Sequence, residues 1–525
     1  MRILIFCFFV LFLPVKGWGQ PVQSDFSIPP QACLQENIYL ANQSTGATSY
    51  EWDLCSGELA LNPTASVLIN SYGGYGTKVD VVEQGGQYYG FFIGRAVGKL
   101  FRLDFGTDIS LAPQLVDLGG FGINSPNWRA VEIVKEGINY YGFIIDSNLN
   151  VVYRFSLGLS LTNSPSALEI IYSGNLLSSP IDITSVEDGT LKFIFIANLG
   201  NEKLVRIKFN QSYADLPSNL AIDFVTVAGS VLLGGISFIQ EGIKWYCLAS
   251  SVATFQVYKI EFITGLTDTS PSITNFGVSA PVGLALVNDN GQNYAFVQSQ
   301  NSSSSIFRVN FGNSLANVPI GIDELKNIGL AGSNLWGFSM FKAQSKWLTL
   351  STETAGSTIF RITFPNNCFS NVEYSTAFQP NVVAVNAGTY SVTLSAKDLS
   401  GQVSTQSKSI MTLGNLAPDI DFTSQNICSG NPVNFTFQNT SGNITDYTWD
   451  FGDSNTSGSA NPTHQYTAAG TYPIQLNVTA TNGCHNLARD TIKIYTPPHP
   501  HLHPPPRPHL HQQRIYFPKH HYRQL

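Results

Sequence analysis

One period governs this chain. A short apolar segment with a basic residue inside it, Leu100-Phe101-Arg102-Leu103, returns as Val152-Tyr153-Arg154-Phe155, Leu204-Val205-Arg206-Ile207, Val257-Tyr258-Lys259-Ile260, Ile306-Phe307-Arg308-Val309 and Ile359-Phe360-Arg361-Ile362. The basic positions follow one another at 52, 52, 53, 49 and 53 residues. A fixed step of that size marks a repeat architecture, in which each unit buries its apolar faces against its neighbours.

Each unit divides into four short strands. The first reads Val79 to Val82, Tyr88 to Ile93, Leu100 to Phe105 and Gln114 to Leu118, and a tight polar turn joins its first two strands. That turn is Gln84-Gly85-Gly86 here and recurs as Lys135-Glu136-Gly137, Glu187-Asp188-Gly189, Gln240-Glu241-Gly242 and Asp289-Asn290-Gly291, a chemistry suited to two-residue hairpins. Six such units predict a six-bladed β-propeller. The last unit stops early at Phe364, so the strand around Val67-Leu68-Ile69, ahead of the first unit, is expected to complete the sixth blade and close the ring.

The flanks of the array belong together. Residues 25 to 53 hold a Cys, a strand ending in Asn, and Ser49-Tyr50-Glu51-Trp52-Asp53, a pattern repeated near the C-terminus and ending there in Asp446-Tyr447-Thr448-Trp449-Asp450-Phe451-Gly452-Asp453. The later copy continues into His464-Gln465-Tyr466 and Ala469-Gly470-Thr471-Tyr472, whereas the early copy resumes only at Ala387-Gly388-Thr389-Tyr390. Between the shared landmarks the first copy holds 315 more residues than the second, close to six periods. The array therefore reads as an insertion into one loop of a small β-domain, where insertion is tolerated because the loop's ends lie close together.

The later copy, with Trp-Asp-Phe-Gly-Asp, His-x-Tyr and Ala-Gly-Thr-Tyr, resembles a PKD domain, an immunoglobulin-like β-sandwich. The resemblance implies that the Trp packs in the core while the Asp and Gly shape a turn. The expected fold is all-β: a six-bladed propeller (56–367) inserted in a PKD-like sandwich (20–55 plus 368–414), followed by a second sandwich (415–496).

Met1-Arg2, the apolar run Ile3 to Leu13 and Gly17-Trp18-Gly19 have the three parts of a secretory signal peptide over 1–19. No later segment is apolar enough to span a membrane. Of the 28 Lys and Arg, two lie in that leader and four in the tail from Pro497, which leaves 22 against 35 acidic residues, about −13 for the body. That balance disfavours nucleic acid or an anionic membrane as the main partner. The Pro- and His-rich tail over 497–525 reads as a disordered segment with weak metal affinity, or as the product of a shifted reading frame.

Six cysteines follow the leader, and export permits disulfides. Cys55 and Cys368 flank the insertion and would clamp its neck, with Cys33 competing for Cys55. Cys428 and Cys484 are the one pair in the second sandwich, on turns at opposite ends of it. Cys247 reads as a buried thiol. With no histidine between residues 20 and 463, nucleophile schemes that rely on His are removed from the propeller, and no cofactor is expected. A glycosidase pair drawn from scattered carboxylates such as Asp146, Glu187, Asp188 and Glu353 stays open.

The recurrent Lys and Arg residues are expected to bury their stems between blades and pair their head groups. Ligand contacts are expected in loops between second and third strands, at Asp146, Asn148, Asn198 and Gln298, and in loops between blades at Trp128 and Trp336. These two tryptophans either stack on sugar or plug the ring. Leader, sandwiches and propeller together resemble the large surface and secreted proteins of gliding Bacteroidetes, in which a C-terminal sorting domain for type IX secretion often follows; none is visible here. That resemblance implies a secreted or cell-surface adhesion or binding role toward an extracellular glycan or protein, the alternative being an exported propeller enzyme acting on polysaccharide.

Overall fold

The computed structural model describes residues 21–497 except 57, 124–125, 217, 219, 231, 290, 301–304, 331–334, 354–356, 400–401, 426 and 440–442. The expected leader and all but the first residue of the expected tail lie outside them. Among the described residues there is no α-helix, and two compact units meet at the Leu416/Ala417 boundary.

The first unit contains six four-stranded antiparallel sheets in a ring. The second of them runs Trp128–Glu136, Asn139–Asp146, Val151–Gly158 and Glu169–Ser173, and the others repeat its order. Middle strands read as continuous apolar runs, as in Phe193 to Ala197, all fully buried, because neighbouring blades cover both faces of each sheet. The sixth blade takes Leu335–Ala343, Lys346–Glu353 and Thr358–Thr363 from the end of the array and Thr64–Asn70 from its start, with Ile362 paired to Ala65. The ring is thus closed by hydrogen bonds between chain segments almost 300 residues apart. Hairpins between first and second strands use two-residue turns. In the first blade Gly85 and Gly86 both take positive φ, and in the sixth Gln344 and Ser345 do so without glycine.

A second device holds blade to blade. Each recurrent Lys or Arg leaves its own third strand and donates to backbone carbonyls in the segment that leads into the next blade's fourth strand. Arg102 donates to Leu161, Arg154 to Tyr213 and Asp215, Arg206 to Leu266 and Asp268, and Lys259 to Leu315 and Asn317. Arg308 donates to Leu59 and Leu61, and Arg361 to Ile109 and Leu111, which completes the circle. Four of the six also pair with a carboxylate of their own sheet: Asp104, Glu169, Asp223 and Asp323. From the other side, the residue before the hairpin turn binds the same segment in the first, third and fourth blades: Gln84 takes the Leu161 N–H, Asp188 that of Leu266, and Glu241 that of Leu315. The captured residues Ile109, Leu161, Tyr213, Leu266, Leu315 and Leu59 are all buried.

The sandwich that carries this ring is assembled from both sides of it. Ser49–Asp53, ahead of the propeller, pairs with Gly388–Lys397, beyond it, so that Trp52 lies opposite Leu394. Val403–Leu416, Gln31–Leu34 and Tyr374–Ser375 complete a five-stranded sheet. Phe26, Trp52, Tyr390 and Leu394 share one core, and the Trp52 indole donates to the Ala377 carbonyl at 2.9 Å. Cys55 is bonded to Cys368 across 313 residues of chain at the neck of the insertion.

The second unit is a sandwich of the same design. Ile444–Asp450 pairs with Gly470–Ala480, Trp449 is fully buried, and its indole donates to Ser459 at 2.9 Å. His464 stacks on Phe451 and meets the Asp453 carboxylate at 2.8 Å, which fixes the turn that begins Phe-Gly-Asp. The candidate pair Cys428 and Cys484 is not bonded. Cys428 is a free thiol beside Tyr495 at the end of the last strand, whereas Cys484 is buried in the hairpin at the strand's start.

Candidate functional site

The first strands of the six blades, beginning with Asp80–Gln84 and ending with Leu335–Ala343, stand side by side around the axis. Five of them carry a register shift at the end where they enter the sheet, between Trp128 and Ala130, Pro180 and Asp182, Leu233 and Ile236, Pro281 and Leu284, and Leu335 and Gly337. The residues left out of the ladder are Arg129, Ile181, Gly234, Gly235, Val282, Gly283 and Trp336. Every one of them lines a single pocket at the mouth of the axis. A bulge re-aims side chains that regular pairing would send into the blade stack, and here five bulges aim at one point. The glycines answer to packing: a Cβ on Gly235 would stand 2.8 Å from the Val282 carbonyl, and one on Gly283 2.6 Å from Phe338 Cβ.

Trp336, from the sixth blade, packs against the apolar cluster of the third and fourth blades and so lies across the opening. It is only partly buried, and the pocket it lines holds about 30 Å³, room for a couple of waters and not for a sugar ring.

Charge gathers along the axis, and two of its members, Lys78 and Asp182, line the pocket itself. Lys78 Nζ lies 3.5 Å from Glu132 and 3.8 Å from Asp182, and donates to the Ile183 carbonyl at 3.1 Å. The carboxylates stitch each inner strand to the next by accepting backbone N–H groups: Asp80 from Ile133, Glu132 from Ser185, and Asp182 from Ile236. Burial, with Glu132 adding repulsion, pushes the Asp80 carboxyl up. Burial alone would lower the Lys78 ammonium, yet Asp182, Glu132 and Asp80 together hold it protonated. These acids are committed to the fold: Asp182, which also lines the pocket, is tied to Lys78 and to the Ile236 N–H.

The residues singled out in the sequence fall mostly elsewhere. Asp146 is fully buried and caps a turn, its oxygens taking the N–H groups of Asn127, Asn148 and Leu149. Asn198 is likewise buried, donating to the Leu176 and Lys203 carbonyls and accepting from Ser178. Gln298, fully buried behind Gly283, donates to Ser351 at 2.8 Å. Trp128 lies in the core between the first and second blades. None of these four faces solvent, a correction to their expected role: polar residues that end strands in a close-packed ring satisfy the turn's own backbone first. Asn148 is exposed and accepts from Asn127 at 2.7 Å, and Trp336 alone lines the mouth. Arg129 was missed by sequence reading, as was Arg95 in the turn between second and third strands of the first blade. The signal was available, since the matching turns of the next two blades place Asp146-Ser147 and Asn198-Leu199 where the first has Gly94-Arg95.

A larger cavity, about 670 Å³, separates the sandwich from the opposite end of the propeller. One wall is the hydroxyl face of the five-stranded sheet, where Thr393 meets Ser407 at 2.8 Å. The other includes Lys342, which pairs with Asp53 of the sandwich at 2.6 Å and lies 3.8 Å from Asp289. Hydroxyl pairs such as Thr393–Ser407 and the Lys342–Asp53 ion pair make it a polar joint between two folded bodies.

Residues 415–494 match the family model described as PKD domain. A 64-residue stretch is 48% identical to the pre-pro-metalloprotease PrtV of Vibrio cholerae serotype O1, covering 11% of this chain and 7% of that protein, so the chain spans only a small part of its curated relative. Among solved structures, the PKD1 domain of that protease is 37% identical over 15% of this chain and all of its own, at a TM-score of 0.14. A mutant of the Aleuria aurantia lectin in complex with alpha-methyl-L-fucoside is 9% identical over 61% of this chain and 98% of its own (TM-score 0.40). The GH43_1 enzyme from Xanthomonas citri complexed with xylotriose is 12% identical over 50% and 94% (TM-score 0.34). The last two similarities decide nothing about ligand or chemistry.

Proposed function

We propose that this chain is an exported binding protein whose propeller recognises a carbohydrate at the mouth of its axis, with the sandwiches acting as spacers that present it. The observation that carries the reading is the convergence of five bulges on one mouth, where an aromatic ring and a guanidinium stand on a rigid frame. Sugar recognition uses such a pairing, the ring for a pyranose face and the charged fork for hydroxyl or anionic substituents. The leader read in the sequence and the PKD match to part of a pre-pro-metalloprotease support an extracellular setting, at a cell surface or secreted. No helix among the described residues is long and apolar enough to cross a membrane.

Binding is favoured over hydrolysis by the state of the acids. A glycosidase needs two carboxyl groups flanking the scissile bond, at separations of roughly 5 to 9.5 Å, with one free to protonate the leaving group. Here the axial carboxylates are tied to Lys78 and to backbone N–H groups. The test is a glycan array probed with the full mature chain, followed by reducing-end assays on the same sugars. Binding without release of new reducing ends supports the reading. Time-dependent release, abolished by substituting one carboxylate, replaces it with the enzyme.

A further inference from the structure

Two neighbouring guanidinium groups at this end of the ring form no ion pair among the described residues. Arg129 is the bulged residue of the second blade and lines the pocket. Arg95 is held at the same end of the ring, its backbone N–H bonded to the Tyr75 carbonyl at 2.7 Å beside the Gly76–Gly94 bridge. The Nε atoms of both are buried and have no hydrogen-bond partner. Neither makes an ion pair among the described residues, although Arg102, Arg154, Arg206 and Arg308 all do. Asp146 is the acid whose charge reaches Arg129, and its oxygens are already taken by three backbone N–H groups. Burial and the neighbouring Arg129 push the Arg95 guanidinium down to about 10.

Half-buried like charges with unused donors destabilise a fold unless something else uses them, and such groups concentrate where ligands bind. The body of the protein carries a large negative excess, so this local pair runs against the overall field. General attraction for polyanions therefore does not explain it.

We propose that the mouth is an anion subsite, in which Arg95 and Arg129 take the carboxylate or sulfate group of an acidic sugar whose ring lies on Trp336. The assignment rests on the binding reading given above and names its ligand class. Both anion types fit a guanidinium fork, which forms two parallel charge-assisted hydrogen bonds to either. Asp182, the acid that lines this pocket, lies 3.8 Å from Lys78, whose charge offsets it toward a bound anion.

The experiment titrates the full mature chain, by calorimetry, with alginate for carboxylate, carrageenan for sulfate and dextran as a neutral polymer. Arg95→Gln, Arg129→Gln and Trp336→Ala are run beside the parent, each with its melting temperature. The proposal expects one acidic polymer to bind at least about tenfold more tightly than dextran, and each Arg→Gln change to weaken it roughly tenfold or more. It also expects unliganded Arg→Gln variants to melt no lower than the parent, because an unpaired buried charge has been removed. Whichever acidic polymer binds identifies the anion. Equal affinity for dextran overturns the anion subsite while leaving the mouth as a sugar site. Acidic binding indifferent to all three substitutions overturns both readings, and a melting temperature lowered by several degrees in Arg95→Gln or Arg129→Gln assigns the arginines to the fold.

Discussion

The guanidinium of Arg361 and the carbonyl of Leu111 are 250 residues apart in the chain and 3.1 Å apart in space. That bond joins the sixth blade to the first, and a cationic side chain donating to backbone carbonyls joins every other neighbouring pair in the same way, with Lys259 in place of an arginine at the fourth blade. A ring so built spreads its closure over two devices, the strand Thr64–Asn70 and a circle of cationic staples.

The staples are expected to matter unequally. Arg206 is almost wholly buried and pairs with both Asp223 oxygens, at 2.7 and 2.6 Å, besides its carbonyl contacts. Arg206→Met keeps the apolar stem but leaves the Leu266 and Asp268 carbonyls without their donor, a loss of about 1–3 kcal/mol. Arg206→Lys is expected to recover only part of it, since one ammonium cannot copy the fork. Chemical denaturation of the two variants checks the order; a lysine variant as stable as the parent would assign the stabilisation to charge alone.

The neck disulfide is expected to act on the sandwich more than on the propeller. A 313-residue loop suggests a large entropic contribution, of roughly 6 kcal/mol. Pairing of Thr64–Asn70 with Thr358–Thr363 already brings the ends of the array together, however. The bond then closes an effective loop of about fifteen residues, worth about 3 kcal/mol. Scanning calorimetry of the Cys55→Ser, Cys368→Ser double variant is expected to show the sandwich transition lowered and the propeller transition nearly unmoved. A common shift of both would mean that the two bodies unfold as one.

Glu58 supplies a pH dependence with a definite sign. It is fully buried beside the neck, and burial pushes its carboxyl up to about 8, with Asp289 and Asp53 adding to the shift and Lys342 opposing it. The folded state therefore holds this proton more tightly than the unfolded chain. The stabilisation is complete below about 4.5 and is lost as pH rises toward 8. Glu58→Gln, neutral throughout, is expected to gain on the parent over that window by on the order of a few kcal/mol. Melting curves at pH 4.5, 6 and 8 check this, and a constant difference between the two proteins would contradict it.

Much of this architecture is written in the sequence because its physics is local. A four-stranded blade needs apolar runs, glycine turns and a basic residue at one register, and each recurs every fifty or so residues. The halves of the first sandwich are legible because Trp52 and Tyr390 have counterparts in Trp449 and Tyr472. The sixth hairpin turn was hidden because Gln344-Ser345 adopts positive φ with no glycine to announce it. The captured segments were hidden too, since a lone Leu or Ile among polar residues reads as loop. The mouth was hardest to see. It is made by interruptions of strand pairing, which leave the apolar pattern almost untouched, so residue type drew attention to Asp146 and Asn198, whose polar atoms turn inward to the backbone.

The most direct test of the central claim is a crystal structure of the full mature chain with the oligosaccharide selected from the array. The account predicts a sugar ring over Trp336, within contact of Arg129, with the axial carboxylates still paired to Lys78. Sugar density in the cavity beside Lys342 and Thr393, with the mouth empty, would contradict it.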